Sequence, residues 1–305
     1  MTSSPIILTD VSLRDGLQAE ARTLSTDTKV SIFENLAGMG FERLEITSFV
    51  NPKWIPQLAG AEALCARIEA LGLSQQTMAF VPNKKGLERL LRFKIEWVSA
   101  FVAASETFNR KNVNMGIQET LGEIGVVREL AKRASRQVRV YLSTAFGCPY
   151  EGEVNLKALD HCLKQLSSLA PDEVVLSDTI GVATPVQVGR VIDVASQHFS
   201  LERIGVHFHN TYAMGLAATQ AAFDRGVRRF DGSTGGIGGC PYAKGATGNL
   251  ASEEIWYLFF RQGLRRGFSV AQLTKCFECL EGAGLTLSSA LAPIVARGGE
   301  IYGCQ

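Results

Sequence analysis

Short apolar, β-rich runs alternate with longer amphipathic stretches along the whole chain. The runs at 6–13, 44–49, 77–81, 97–103, 138–143, 173–177, 204–209 and 228–232 predict eight strands. Between them, 26–37, 61–71, 87–92, 122–135, 156–169, 185–198 and 215–224 carry apolar residues at helical spacing. Pro185 stands at a first helical turn, and Gly38, Gly72 and Gly226 follow last turns. Strand–helix alternation implies parallel strands, and eight repeats predict an α/β fold, a (β/α)8 TIM barrel. An open doubly wound sheet needs a Gly-rich phosphate fingerprint after its first strand, where this chain reads SLRDGLQAE. No linker or charge block divides residues 1–305, so one domain is expected. Three helical patterns beyond about 250 (253–263, 270–282 and 287–298) predict C-terminal helices that cap or extend the barrel.

Composition narrows the function classes. The 305 residues are 46% hydrophobic and 20% charged, with formal net charge +1. That balance gives no clustered basic excess, so neither nucleic acid nor a membrane surface is an expected partner. The first residues, MTSSPIILTD, resemble neither a signal peptide nor a basic transit peptide, and no apolar run is long enough to span a bilayer. Seven scattered cysteines predict reduced thiols and a cytoplasmic protein. Cys276 and Cys279 form a C-x-x-C inside a helical pattern, read as thiols on a helix face, with a redox or zinc pair as the alternative.

In such a barrel the active site lies at the C-terminal strand ends. Several predicted strands finish on polar or ionisable groups: Arg14-Asp15, Glu45 with Thr47-Ser48, Ser143-Thr144, Ser177-Asp178 and His207-Phe208-His209-Asn210. His207 and His209 are two apart on a strand, so they project to one face and can offer one metal two imidazoles. Ordinary strand histidines are the plainer reading, but two of only four histidines occupy this place. Strands one, seven and eight are neighbours when the barrel closes, which allows Asp15 and Asn249 to complete the shell. Asp15, His207, His209 and Asn249 make an oxygen–nitrogen set without thiolate, suited to Mg²⁺ or Mn²⁺ more than to zinc. Arg14 reads either as a strand-end ion pair or as a fixed cation for a developing enolate. The stretch 235–249, GGIGGCPYAKGATGN, is too rich in glycine for a helix or strand interior and centres on Cys240. G-A-T replaces the G-K-[ST] of a P-loop, so it is not one.

Read together, VSLRDGLQAE (11–20), LEITSFVNPKWIPQL (44–58), FVPNKKGLERL (80–90), SETFNRKNVN (105–114), STAFGCPYEG (143–152), LSDTIGVATP (176–185), HFHNTYAMGLA (207–217) and GGCPYAKGATGNLASEE (238–254) resemble the 3-hydroxy-3-methylglutaryl-CoA lyase family. The resemblance implies cleavage of an acyl-CoA thioester to acetyl-CoA and acetoacetate by a retro-aldol (Claisen-type) reaction. It implies a metal on Asp15, His207, His209 and Asn249, an enolate steadied by Arg14, and proton transfer by Cys240; metal coordination would lower the pKa of the tertiary hydroxyl, and a nearby base, Asp15 or His207, can take its proton. Glu45 and Asp178 match positions near the metal and its waters. The family is usually dimeric or larger, so a homo-oligomer is implied. A CoA substrate calls for cations. Lys53, Lys84, Lys85, Arg110 and Lys111 are expected in loops after strands two to four, although each also reads as solvated surface charge.

Three departures bear on the acyl substrate. Ser12-Leu13 stands where the family commonly has Gly-Pro, Asn210 where it has Asp, and Gly232-Ser233-Thr234-Gly235 where it has Ser-Ser-Val-Ala-Gly. A homologue with a longer 3-substituent is therefore open. Two other readings are a condensing acyltransferase of the isopropylmalate or homocitrate synthase type, and a non-catalytic metal- or acyl-CoA-binding protein. The GGCPYAKGATGN loop favours the lyase.

Overall fold

The computed structural model describes residues 5–72, 77–239 and 248–304. Eight parallel strands, β1 (Ile7–Asp10), β2 (Arg43–Ser48), β3 (Thr77–Phe80), β4 (Trp97–Ala103), β5 (Gln137–Ser143), β6 (Glu173–Asp178), β7 (Ile204–Phe208) and β8 (Arg229–Gly232), form a closed barrel in sequence order. β1 pairs with both β2 and β8, which closes the ring without a free edge. The expected TIM barrel is present.

Period-two alternation explains the layers. Val98, Val140, Val174, Val206 and Phe230 point outward and are buried under the helices. Burying each such side chain favours folding by about 1.5–3 kcal/mol. The covering helices are α1 (Thr26–Met39), α2 (Ala61–Ala70), α3 (Lys84–Leu90), α4 (Glu106–Val113), α5 (Ile117–Arg133), α6 (Leu156–Ser168), α7 (Pro185–Ala195) and α8 (Gly215–Asp224). Beyond them, α9 (Ser252–Arg261) packs on β8, β1 and α8 as the eighth barrel helix. α10 (Val270–Gly282) lies on α1, and α11 (Ala292–Ala296) packs on α10. Among the described residues no helix is long and apolar enough to cross a membrane.

Element boundaries moved where side chains cap the backbone. α5 begins five residues before the expected 122 because Glu119 reaches back to accept from Gly116 N–H at 2.7 Å. α4 was not expected as a helix; Ser105 caps it by accepting from Phe108 N–H at 3.1 Å. Of the pattern 287–298, only α11 is helical. Cys276 and Cys279 lie on α10 as expected of helix-face thiols: Cys276 Sγ reaches Asn35 O on α1 at 3.3 Å, and Cys279 Sγ reaches Ser31 Oγ at 3.6 Å.

The inward positions carry charge where a TIM barrel usually carries branched apolar residues. Cross-strand partners point the same way, and the register pairs Thr9 with Arg43, Arg139 with Glu173, Gly205 with Arg229, and His207 with Asp231. Arg139, fully buried, pairs through Nε with Glu173 Oε1 at 2.8 Å and through Nη2 with Asp231 Oδ1 at 2.5 Å. Arg43 Nη1 reaches Glu173 Oε2 at 2.7 Å, and Arg229 Nη1 reaches the same oxygen at 3.4 Å. Each charge has an opposite neighbour, without which burial would be prohibitive. Gly205 leaves the room this requires: a Cβ there would stand 3.2 Å from Glu173 Oε1 and 3.3 Å from Arg139 Nη2.

Candidate metal centre at the barrel mouth

β1 stops at Asp10, three residues short of the expected end. The Asp10 side chain accepts from Ser12 N–H at 3.0 Å, and the backbone then enters a π-helical turn, Ser12–Gly16. The N–H groups of Arg14, Asp15 and Gly16 all converge on Val11 O at 2.8–3.2 Å. Such wide turns recur at functional sites. Asp10 Oδ2 also accepts from Thr234 N–H (2.9 Å), Thr234 Oγ1 (2.7 Å) and Ser252 Oγ (2.7 Å), which ties the turn to the segment after β8.

Across the mouth, β7 ends at Phe208, and His209 forms an isolated antiparallel bridge with Asn249. Leu250 N–H donates to Phe208 O at 3.1 Å and Asn210 N–H to Gly248 O at 2.7 Å. The end of the glycine-rich stretch is thus laid beside the second histidine. One ligand atom each of Asp15, His207 and His209 lies within 4.8 Å of the others. His207 Nε2 is 3.7 Å, and His209 Nε2 3.9 Å, from Asp15 Oδ2. Asn249 Nδ2 donates to Ile237 O at 3.2 Å, which fixes the amide. Its Oδ1 is buried with no hydrogen-bond partner among the described residues. A buried acceptor left unpaired is costly. A hard cation held by carboxylate, amide oxygen and imidazole answers that cost, so these residues fit a divalent metal.

Arg14 binds the acidic side of the cluster. Its Nε donates to Glu45 Oε2 at 2.6 Å and its Nη1 to Asp15 Oδ1 at 2.5 Å, and its guanidinium lies 4.9 Å from the centre of the Tyr141 ring. Burial opposes ionisation of Asp15, but the Arg14 guanidinium and the two imidazoles outweigh it and hold the carboxyl well below the usual carboxylate range. Glu45 also accepts from Tyr141 OH at 3.0 Å and from Ser99 Oγ. Thr144, at the end of β5, takes the left-handed conformation (φ 54°), rare for a β-branched residue, and donates its N–H to Thr179 Oγ1 at 2.9 Å.

The other expected site residues fall differently. Asp178 accepts from Val182 N–H (3.0 Å) and Ala183 N–H (2.8 Å), so it shapes the loop after β6; burial pushes its carboxyl up. Lys53 lies in the turn after β2. Lys84 and Lys85 open α3 rather than sitting in a loop, because Asn83 caps that helix by accepting from Gly86 N–H at 3.0 Å. Arg110 and Lys111 likewise belong to α4, where Arg110 pairs with Glu106 at 2.9 Å and Lys111 Nζ lies 4.0 Å from the Tyr150 ring centre. Cys240 lies outside the described residues. Two of the departures meet: Ser12 Oγ accepts from Thr234 N–H at 2.7 Å. The third, Asn210, accepts from Gly215 N–H at 3.1 Å, at the start of α8.

Sequence reasoning missed Asp10, Ser99, Arg139, Tyr141 and Asp231. Four of these were visible as polar groups at alternate positions of apolar strands: Ser99, Arg139-x-Tyr141 and Arg229-x-Asp231.

A family model described as HMGL-like matches residues 5–279. The chain belongs to the HMGL-like family. The match takes in the whole cluster, from Arg14 and Asp15 through Glu45 to Asn249. The HMGL-like chain is 40% identical over 252 residues to the 3-hydroxy-3-isohexenylglutaryl-CoA/hydroxy-methylglutaryl-CoA lyase of Pseudomonas aeruginosa, covering 82% of this chain and 83% of that one. The crystal structure of the Bacillus subtilis HMG-CoA lyase superposes with a TM-score of 0.90 at 36% identity, covering 97% of this chain and 100% of that one. The Acenitobacter baumannii HMG-CoA lyase, solved with coenzyme A and 3-methylmalate, gives a TM-score of 0.88 at 30% identity, covering 100% and 99%.

Proposed function

We propose that this HMGL-like chain is a divalent-metal-dependent carbon–carbon lyase. Its substrate is 3-hydroxy-3-methylglutaryl-CoA or a close 3-alkyl homologue, cleaved to acetyl-CoA and a 3-oxo acid, acetoacetate for the methyl substrate. The observation that carries the reading is the convergence of Asp15, His207 and His209, with Asn249 bridged to His209 and its buried Oδ1 without a hydrogen-bond partner among the described residues. Those four residues would hold Mg²⁺ or Mn²⁺, which when bound supplies Lewis acidity that makes the tertiary hydroxyl easier to deprotonate.

In the reaction the hydroxyl proton leaves, C3 becomes a ketone, and the C2–C3 bonding pair passes into the thioester enolate. C2 then takes a proton to give acetyl-CoA. Arg14, held by Glu45 and Asp15, brings a fixed positive charge to the mouth where enolate charge develops. The Arg14 guanidinium and the two imidazoles hold the Asp15 carboxyl ionised, which suits it to a cation. Cys240 is the candidate donor of the proton to C2, on the strength of the family resemblance.

The name of the Pseudomonas aeruginosa relative motivates a longer 3-substituent. Turnover of a panel of 3-hydroxy-3-alkylglutaryl-CoA thioesters with Mg²⁺ or Mn²⁺, following acetyl-CoA release, tests the reading. Release that depends on the metal supports it. No release from any member, or condensation of acetyl-CoA with 2-oxo acids instead, overturns it in favour of the condensing alternative.

A further inference from the structure

His207 has two ring nitrogens with different surroundings. Nε2 faces Asp15 at 3.7 Å, whereas Nδ1 faces Asp231 Oδ2 at 3.7 Å. Both Nδ1 and Asp231 Oδ2 are fully buried, and neither has a hydrogen-bond partner among the described residues. The two residues are register partners on β7 and β8, so neighbouring strands fix their approach. The gap exceeds an N–H···O bond by less than 1 Å, a distance that a small imidazole rotation closes. The other Asp231 oxygen is held by Arg139 at 2.5 Å, and Arg139 is held in turn by Glu173. Asp231 is therefore a carboxylate with one oxygen anchored and the other aimed at an imidazole.

From this geometry we infer that Asp231 is a positioning residue: it takes the Nδ1–H of His207, fixes the ring's tautomer and leaves the Nε2 lone pair for the barrel mouth. The buried ladder Glu173–Arg139–Asp231–His207 then has a purpose beyond packing. It connects the barrel interior to the candidate centre through alternating charges, and Arg139 prevents Asp231 from turning away. Outer carboxylates of this kind orient metal-binding histidines and raise their basicity. The metal part of the inference rests on the function proposed above, whereas the tautomer part does not.

Four histidines make the test tractable. With ¹⁵N-histidine labelling, long-range ¹H–¹⁵N correlation of the metal-free full chain reads the tautomer, and His207→Gln assigns the signal. The expected result is a proton on Nδ1 of His207; an Nδ1 that carries no proton overturns the inference without any change to Asp231. Asp231→Asn is expected to weaken Mn²⁺ binding in calorimetry about 10–100-fold. Unchanged affinity in a folded variant also overturns it. If that variant strands Arg139 and does not fold, Arg139→Met with Asp231→Asn removes both charges, and Glu173 keeps Arg43 and Arg229. The same loss of affinity is expected there. Failure of the wild-type chain to bind Mn²⁺ sinks the metal reading instead, while the tautomer still decides the role of Asp231.

Discussion

Arg14 Nε and Glu45 Oε2 lie 2.6 Å apart, a charge pair built between the turn after β1 and the inner face of β2. Glu45 also receives Tyr141 OH and Ser99 Oγ, so its position is set from three strands and the position of Arg14 follows from it. Replacing Glu45 by Gln keeps the shape and removes the charge. The expected outcome is a kcat lowered by about 10–100-fold with a smaller change in KM, because a fixed cation acts most on developing charge. Steady-state kinetics on the thioester settle it; an unchanged kcat would mean that the placement of Arg14 does not depend on Glu45.

His209 and Cys240 should separate binding from turnover. His209→Ala removes an imidazole from the cluster and should weaken Mn²⁺ binding by more than about 100-fold, beyond the loss typical of an outer-shell change. Cys240→Ser should leave that affinity intact while most turnover is lost, if the thiol delivers the proton. Calorimetry and acetyl-CoA release on the same preparations provide the comparison. A fully active Cys240→Ser variant removes the thiol from the mechanism.

Much of this arrangement was legible in the sequence because it follows from backbone periodicity. His207-x-His209 had to share a face, and a barrel had to bring the first strand beside the last two. The strand count came from the alternation of apolar runs with amphipathic stretches, those two rules allowed Asp15 to meet both histidines, and the family resemblance implied the same set. What remained hidden was decided by single side chains. Asp10 ended β1 early, and Asn83 and Ser105 turned expected loops into helix starts. The charged interior was hidden for another reason: a lone Arg or Asp in a strand reads as an edge or surface position until its partner is known. Arg139, Glu173 and Asp231 are scattered along the chain, and only the closed register makes them neighbours.

Gly205 tests how tightly that interior is fitted. A methyl group there would come within 3.2–3.4 Å of Glu173, Arg139 and Arg229 atoms, and none of these can retreat without loosening an ion pair. Gly205→Ala should therefore cost about 1–3 kcal/mol, as overpacking typically does. Urea denaturation followed by circular dichroism measures this. An unchanged midpoint would show that the ladder has slack.

The root of the glycine-rich stretch carries a pH dependence of its own. Glu253, fully buried near the start of α9, faces Gly235 N–H at 3.1–3.2 Å, and burial pushes its carboxyl up to about 8. In the unfolded chain the same group titrates near its ordinary 4.5. Below that value it is protonated in both states and contributes no slope. Between about 4.5 and about 8 the unfolded chain has released the proton and the folded chain keeps it, so stability falls as pH rises. Above about 8 both states are ionised and the loss is complete. Its size is on the order of several kcal/mol, partly offset within the same range by other titrating groups. Glu253→Gln keeps an acceptor for Gly235 N–H and cannot ionise. Its denaturation midpoint should therefore decline less than that of the wild type from about pH 5 to about pH 8. Parallel declines in the two proteins would place the proton of Glu253 elsewhere and show that α9 accepts a charge at its buried end.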